Sequence, residues 1–200
     1  MIDFPKIRKL YQLTSHIGLS DAMTLVTSAK TRSFEPGEYI LKEGSWAKEI
    51  YFIRKGIARS FAINPRGDEI TTRLCWENHL VVNADAVLFE RPSQCYWQAI
   101  EPTQMFYLSY EVAQNLISNN PRLEENRKYL LRTLLKEAYV RINTFVRLSP
   151  EERYLDFLES HQEIINRVPD KYIANILGIT PVSLSRIRKR LASKSSDRSE

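Results

Sequence analysis

The strongest constraint on this chain is a single change of hydrophobic period near Ser109. From about Thr31 to Leu108, short runs rich in β-branched and aromatic residues follow one another: Tyr51–Ile53, Ile57–Ile63, Ile70–Trp76, Tyr96–Ile100 and Met105–Leu108. Such residues suit a pleated, half-buried surface. Between the runs stand Pro36-Gly37, Glu43-Gly44, Lys55-Gly56 and Pro65-Arg66-Gly67, which supply the backbone angles of tight turns. Gaps this short leave no room for crossover helices. They predict an antiparallel roll, barrel or sandwich rather than a parallel sheet.

Helical spacing holds on both sides of that region. The first thirty residues read as two short helices, with Leu10, Leu13 and Ile17 on one face and Ser20 as an N-cap before Asp21–Ala29. Tyr110–Asn119 makes a short helix, and Pro121 opens a longer one running to about Arg147. Within it Leu131, Leu135, Ala138, Ile142 and Phe145 follow a 4, 3, 4, 3 spacing, a heptad seam beside a second stripe of Leu123, Leu130 and Leu134. One stripe can cover the β domain while the other meets an identical helix, or both can pack within the monomer. Ser149-Pro150-Glu151-Glu152 then has the form of a capping box with proline at the first helical position.

Composition excludes several classes. With 43% apolar and 26% charged residues, 200 residues are enough for one sizeable core and are not a disordered chain. The N-terminus lacks a signal-peptide pattern, and no apolar run approaches the ~18 residues of a membrane span. The expectation is a reduced, cytoplasmic protein without a membrane partner. Cys75 and Cys95 are too few for a disulfide framework or an iron–sulfur site. His16, His79 and His161 lie far apart in sequence, so neither a metal site, a cofactor nor an enzyme is expected. Haem ligation by Cys75 with His79, or a Cys75–Cys95 redox pair, is outweighed by the ordinary reading of a small buried thiol. Trp76, Tyr96 and Trp97 likewise read as sheet residues before they read as a ligand cage.

The net charge of +5 is unevenly placed. Residues 1–119 carry 13 basic and 13 acidic side chains, whereas Thr180 to Lys194 carry Arg186, Arg188, Lys189, Arg190 and Lys194 with no acid. That basic run lies in the segment Val168–Leu191, VPDKYIANILGITPVSLSRIRKRL. Pro169 opens one helix with Ile173, Ile176 and Leu177 apolar, and Gly178 ends it. Thr180 caps a second helix, Pro181 takes its first position, and Leu184, Ile187 and Leu191 form its buried stripe. Ala174 permits a close crossing and Gly178 a tight turn. This is a helix-turn-helix. The exposed face carries Val182, Ser183, Ser185 and Arg186, then Lys189 and Arg190. Hydroxyls and cations there suit phosphates, and Arg186 can donate two hydrogen bonds to a guanine edge.

The chain resembles the Crp/Fnr family of bacterial transcription regulators over nearly its whole length. The N-terminal likeness is Phe34-Glu35-Pro36-Gly37-Glu38-Tyr39-Ile40, then Glu43-Gly44, then Ile50 to Gly56; the C-terminal one is KYIANILGITPVSLSRIRK. The resemblance implies an α+β protein. An antiparallel, jelly-roll-like β-roll of the cyclic-nucleotide-binding type would span 1–120, a long dimerisation helix 121–148, and an all-α helix-turn-helix domain with a short polar tail 149–200. It further implies a homodimer joined through Leu131, Leu135, Ala138, Ile142 and Phe145. Double-stranded DNA would be read through helix 180–192, with Thr180 among its DNA-binding residues and Lys171 in backbone contact, and RNA polymerase would be a partner if regulation is activation.

Two departures qualify the likeness. No Gly-Glu pair occurs in the stretch His79–Asp85, and Ser93-Gln94 stands where cyclic-AMP binders place an arginine and its neighbour. Losing that cation removes a charge-assisted contact to phosphate, so control by cyclic AMP is not expected. Arg91, two residues away, is the only nearby substitute, and the effector is left unassigned. A regulator responding to a small ligand through a non-standard pocket is the second reading, and a β-roll metal enzyme the third. Ala192–Glu200 have no strand pattern, so the expectation is that the β-hairpin wing common in the family is absent or vestigial.

Overall fold

Eight strands and six helices follow the change of period in the computed structural model, which describes residues 27–118 and 121–196. The two expected N-terminal helices fall almost wholly outside those residues. Strands β1 (Lys30–Phe34), β8 (Thr103–Ser109), β3 (Glu49–Lys55) and β6 (Leu80–Val82) form one sheet in that order. Strands β2 (Tyr39–Leu41), β7 (Tyr96–Ala99), β4 (Ala58–Ile63) and β5 (Glu69–Cys75) form the other. All pairings are antiparallel, as the close turn spacing predicts. β1, β2 and β6 are additions to the five expected strands. Two of them are three residues long, too short for an alternating pattern to register.

The sheets face each other across an apolar core. Phe34, Tyr51, Ile53 and Met105 come from one sheet, and Ala58, Cys75, Trp97 and Ala99 from the other. Each large side chain removed from water here stabilises the roll by roughly 1.5–3 kcal/mol. Gly56 is required at its turn for two reasons. Its φ is +103°, and a Cβ would stand 2.5 Å from Thr103 Oγ1.

The alternation in β4 has an unusual consequence. Ala58 faces the roll interior, yet Arg59 and Phe61 on the opposite face are buried too. That outer face is covered by the C-terminal helices. Ile57 and Leu74 of the roll join one cluster with Tyr154, Phe157, Ile164, Ile173 and Leu184.

Helix α1 (Ala84–Leu88) follows β6, and α2 (Tyr110–Ser118) follows β8. Helix α3 (Pro121–Arg147) has 27 residues, about 40 Å at the helical rise. Then come α4 (Pro150–Ser160), α5 (Asp170–Leu177) and α6 (Pro181–Ser196). The capping box at α4 is present in both halves: Ser149 Oγ accepts from Glu152 N, and Ser149 N donates to Glu152 Oε2 at 2.8 Å. Pro169 stands at the cap of α5, one residue before its first turn. α6 runs to Ser196, beyond the expected end near 192, because Ala192–Ser196 contain no helix breaker.

On α3 the apolar residues form an exposed ladder. Leu135, Tyr139, Ile142 and Val146 are 71, 66, 62 and 80% exposed, at spacings of 4, 3 and 4. Leu131 and Ala138 are exposed beside them. Phe145, the fifth residue of the expected seam, is 39% exposed, and one edge of its ring lies at the turn between α5 and α6. Of the second stripe, Leu134 is half-buried, and Leu123 and Leu130 lie outside the described side chains. Among the described residues no helix is long and apolar enough to cross a membrane.

Candidate nucleic-acid interface

Helices α5 and α6 meet at a turn whose geometry follows from six residues. Gly178 adopts φ +66°, and its N–H and that of Ile179 return to the carbonyls of Ala174 and Asn175. Ala174, fully buried, lets the helices cross closely, and buried Leu184 and Ile187 lock α6 against α5. Phe145 of α3 closes the corner, since a Cβ at Gly178 would lie 2.6 Å from its ring. Arg153 adds the last support, donating from Nε to the Leu177 carbonyl at 2.9 Å and from Nη1 to the Leu148 carbonyl at 2.8 Å.

The residues expected on the outward face of α6 differ in exposure. Val182 is 61% exposed, and Ser185, Arg186, Lys189 and Arg190 are exposed, whereas Ser183 is half-buried. Thr180 is exposed, and its Oγ1 accepts from Ser183 N at 3.1 Å and lies 3.0 Å from Ser183 Oγ. These two hydroxyls therefore cap the helix first. Lys171, on the first turn of α5, is exposed with its ammonium 4.8 Å from the Tyr172 ring centre.

The cations of α6 divide into two groups. Arg188 turns inward, donating to Asp170 Oδ2 at 2.6 Å and Tyr154 Oη at 2.9 Å, so it ties α6 to α5 and α4. Arg190 pairs with Glu151 at the start of α4. Arg186 and Lys189 have no ion-pair partner among the described residues. A charged face with no internal carboxylate is free to meet phosphate and base edges.

The stretch between β6 and β7, where the resemblance would place an effector, is organised differently. Asn83 caps α1 and donates from Nδ2 to the carbonyls of Ser45 and Ala47. Ser93 is buried, with its hydroxyl donated to the Cys95 carbonyl at 2.8 Å. Arg91 points outward and pairs with Asp85 at 2.8 Å, and the second Asp85 oxygen accepts from Gln94 N at 3.0 Å. The three aromatic residues do not converge. Trp97 fills the roll core, Tyr96 stacks on Phe61 on the outer face, and Trp76 lies between His79 and His161. Burial pushes the Cys75 thiol up to about 12, which leaves it protonated at neutral pH.

Residues 31–120 match the family model of the cyclic nucleotide-binding domain. Over 173 residues the chain is 26% identical to the fumarate and nitrate reduction regulatory protein of Vibrio cholerae, covering 80% of this chain and 68% of that one. Along most of its length the chain is similar to Crp/Fnr-type regulators. Two solved structures share its fold. FixK2 from Bradyrhizobium japonicum gives a TM-score of 0.70 at 18% identity, covering 84% of this chain and 86% of that one. The catabolite activator protein of Thermus thermophilus gives 0.57 at 20% identity, over 92% and 87%.

Several supports of this head take roles that the sequence did not suggest. Arg153 and Phe145 hold the turn, and Arg188 serves packing rather than the outer face. Arg188 had a legible signal, because it falls beside Leu184 and Ile187 on the buried side of the helical wheel. Arg153 had none, since its partners are backbone carbonyls, one of them 24 residues away.

Proposed function

We propose that this Crp/Fnr-type regulator works as a homodimer that reads a two-fold symmetric site in double-stranded DNA through the outer face of α6. The observation that carries this reading is the outer face itself. Arg186 and Lys189 stand exposed on a helix whose inner face is locked, with no described carboxylate to neutralise them. Arg186 reads a base edge and Val182 meets a thymine methyl, while Lys171, Lys189 and Arg190 contact phosphates. The ladder of Leu131, Leu135, Ile142 and neighbouring Tyr139 on α3 joins the two copies, because so much apolar surface on one helix calls for a partner. The roll (1–120), the connecting helix (121–148) and the head (149–200) then serve sensing, dimerisation and reading.

Half-sites fall about one helical turn apart, ~34–36 Å. DNA binding is independent of cyclic AMP, because buried Ser93 offers no cation and Arg91 is held by Asp85. Selection of random duplexes on the purified protein tests the reading directly. An inverted repeat is the expected product, and recovery of no sequence preference overturns it. Titration calorimetry with cyclic AMP and cyclic GMP is expected to give no heat of binding. Micromolar affinity for either would refute the effector assignment.

A further inference from the structure

The head does not hang from α3 by its two-residue joint alone. It is docked onto the outer face of the β2-β7-β4-β5 sheet of its own roll by two arginine-centred clusters. In the first, Arg59 is 2% exposed, with its guanidinium carbon 4.0 Å from the Phe61 ring centre and 4.1 Å from that of Tyr172 on α5. Its N–H groups are held by Gln98 Oε1 at 2.7 and 3.0 Å, by Thr71 Oγ1 at 3.3 Å and by the Glu69 carboxylate. In the second, Arg167, just before α5, donates to both Glu77 oxygens at 3.0 and 2.8 Å and also pairs with Glu101. Glu77 in turn accepts from Gly56 N at 2.8 Å.

β5 is an edge strand, whose outward backbone groups need partners. Two elements supply them. Asn175 of α5 accepts from Thr71 N at 3.0 Å, and Arg141 of α3 donates to the Thr72 carbonyl. Arg73 of β5 also pairs with Glu137 of α3 at 2.6 Å. One strand is therefore fastened both to the connecting helix and to the first helix of the reader. The face of α6 that bears Arg186 and Lys189 remains exposed in this docked arrangement.

We propose that Arg59 and Arg167 determine which half-site spacing the dimer accepts, by fixing the angle between each head and the connecting helix without an effector. The proposal rests on the two-fold DNA reading above. If α3 lies at the two-fold axis, the distance and twist between the two α6 helices follow from the angle of each head to α3. That angle is set by whatever pins α5 to β5: the apolar cluster that Leu74 shares with the head, and the polar contacts of Arg59, Asn175 and Arg167 that give it direction. Arg59 and Arg167 are positioning residues, since neither reaches the reading face.

The test measures binding to duplexes carrying two half-sites, with one base pair added or removed between them, and to a duplex with a single intact half-site. Inserting one base pair turns the second site by about a tenth of a helical turn, and wild-type binding is expected to fall at least about tenfold. Arg167→Ala should reduce that spacing penalty to about threefold or less while leaving single-half-site affinity unchanged. Glu77→Gln combined with Glu101→Gln removes both charges with little change of shape, and it gives the same expected result if Arg167→Ala does not fold. Retention of the wild-type penalty in these variants overturns the proposal. So does a parallel loss on single and double sites, which is what a merely structural role would produce. Wild-type protein that binds neither duplex would instead fail the DNA reading on which the proposal rests.

Discussion

Two basic regions of this chain use the same residue type in opposite ways. Where the roll meets the head and the connecting helix, and inside the head itself, Arg59, Arg73, Arg167 and Arg188 each meet a carboxylate, and all four are at least two-thirds buried. On the outer face of α6, Arg186 and Lys189 meet none among the described residues. A compensated cation holds architecture, because breaking its pair leaves a charge stranded in a poor solvent. An uncompensated one is available to a polyanion, whose counterions it displaces. The apolar residues divide in the same way: Leu184 and Ile187 are buried inside the head, whereas Leu135 and Ile142 stand exposed.

The largest expected effect comes from the uncompensated apolar surface. Leu135→Asp or Ile142→Asp places a charge in the ladder and should convert dimer to monomer. With two heads no longer linked, affinity for the double site should fall roughly 10²–10⁴-fold, the usual gain from bivalency. Light scattering gives the mass, and an unchanged dimer would show that the ladder is covered by something other than a second copy. Phe145→Asp makes the useful contrast. Its ring lies against the α5–α6 turn, so loss of head stability should come before loss of dimerisation.

Acid should reveal the compensated side. Burial raises the Glu77 carboxyl, but Arg167 and the N–H of Gly56 outweigh it and bring its pKa down to about 2. Its folded pKa lies below the ordinary value, so its stabilisation is complete above about pH 4.5 and is lost as pH falls towards 2. For a pair about a quarter to a third exposed the loss is about 2 kcal/mol, and Glu77→Gln should flatten that part of the melting-temperature profile. His79 and His161 act earlier. Burial lowers both, so each favours the neutral form in the fold, and stability begins to fall once pH drops below about 6.5. A profile flat from pH 8 to pH 3 would contradict both assignments.

The sequence was most informative where a feature is local. The helix-turn-helix, the capping box at Ser149 and the glycine turns are each written within a few neighbouring residues, and all are present. The roll was legible as antiparallel from turn spacing alone. What escaped was the docking of head on roll, because its partners are 90 and 104 residues apart in Arg167–Glu77 and Thr71–Asn175. β4 carried the one hint. ARSFAI places an arginine and a phenylalanine on the face an isolated roll would turn to water, and alternation cannot say that a second body covers it.

A smaller and sharper test separates two neighbours on α6. Arg186→Ala should weaken the specific site by roughly 1–3 kcal/mol and relax discrimination at one base pair, with little change in melting temperature. Arg188→Ala should do the reverse. It leaves the hydroxyl of buried Tyr154 without its donor and removes the tie to Asp170, so the head loses about 1 kcal/mol of stability while base preference is retained. If both variants lose discrimination equally, the division between compensated and uncompensated cations fails on this helix.

The finest distinction is between Lys189 and Arg190, which sequence alone treats alike. Each cation that neutralises a phosphate steepens the log–log dependence of binding on salt by about 0.9. Lys189, with no described partner, should contribute nearly all of that, so Lys189→Ala should flatten the slope by about 1.8 for a two-headed dimer. Arg190 must first release Glu151, and the carboxylate it leaves behind repels the same phosphate. Arg190→Ala should therefore flatten the slope by less than Lys189→Ala does. Glu151→Gln should raise affinity and make Arg190 behave like Lys189. A larger effect from Arg190 in the wild-type background would mean that the α4 carboxylate yields without cost, and that an internal ion pair does not mark a cation as structural.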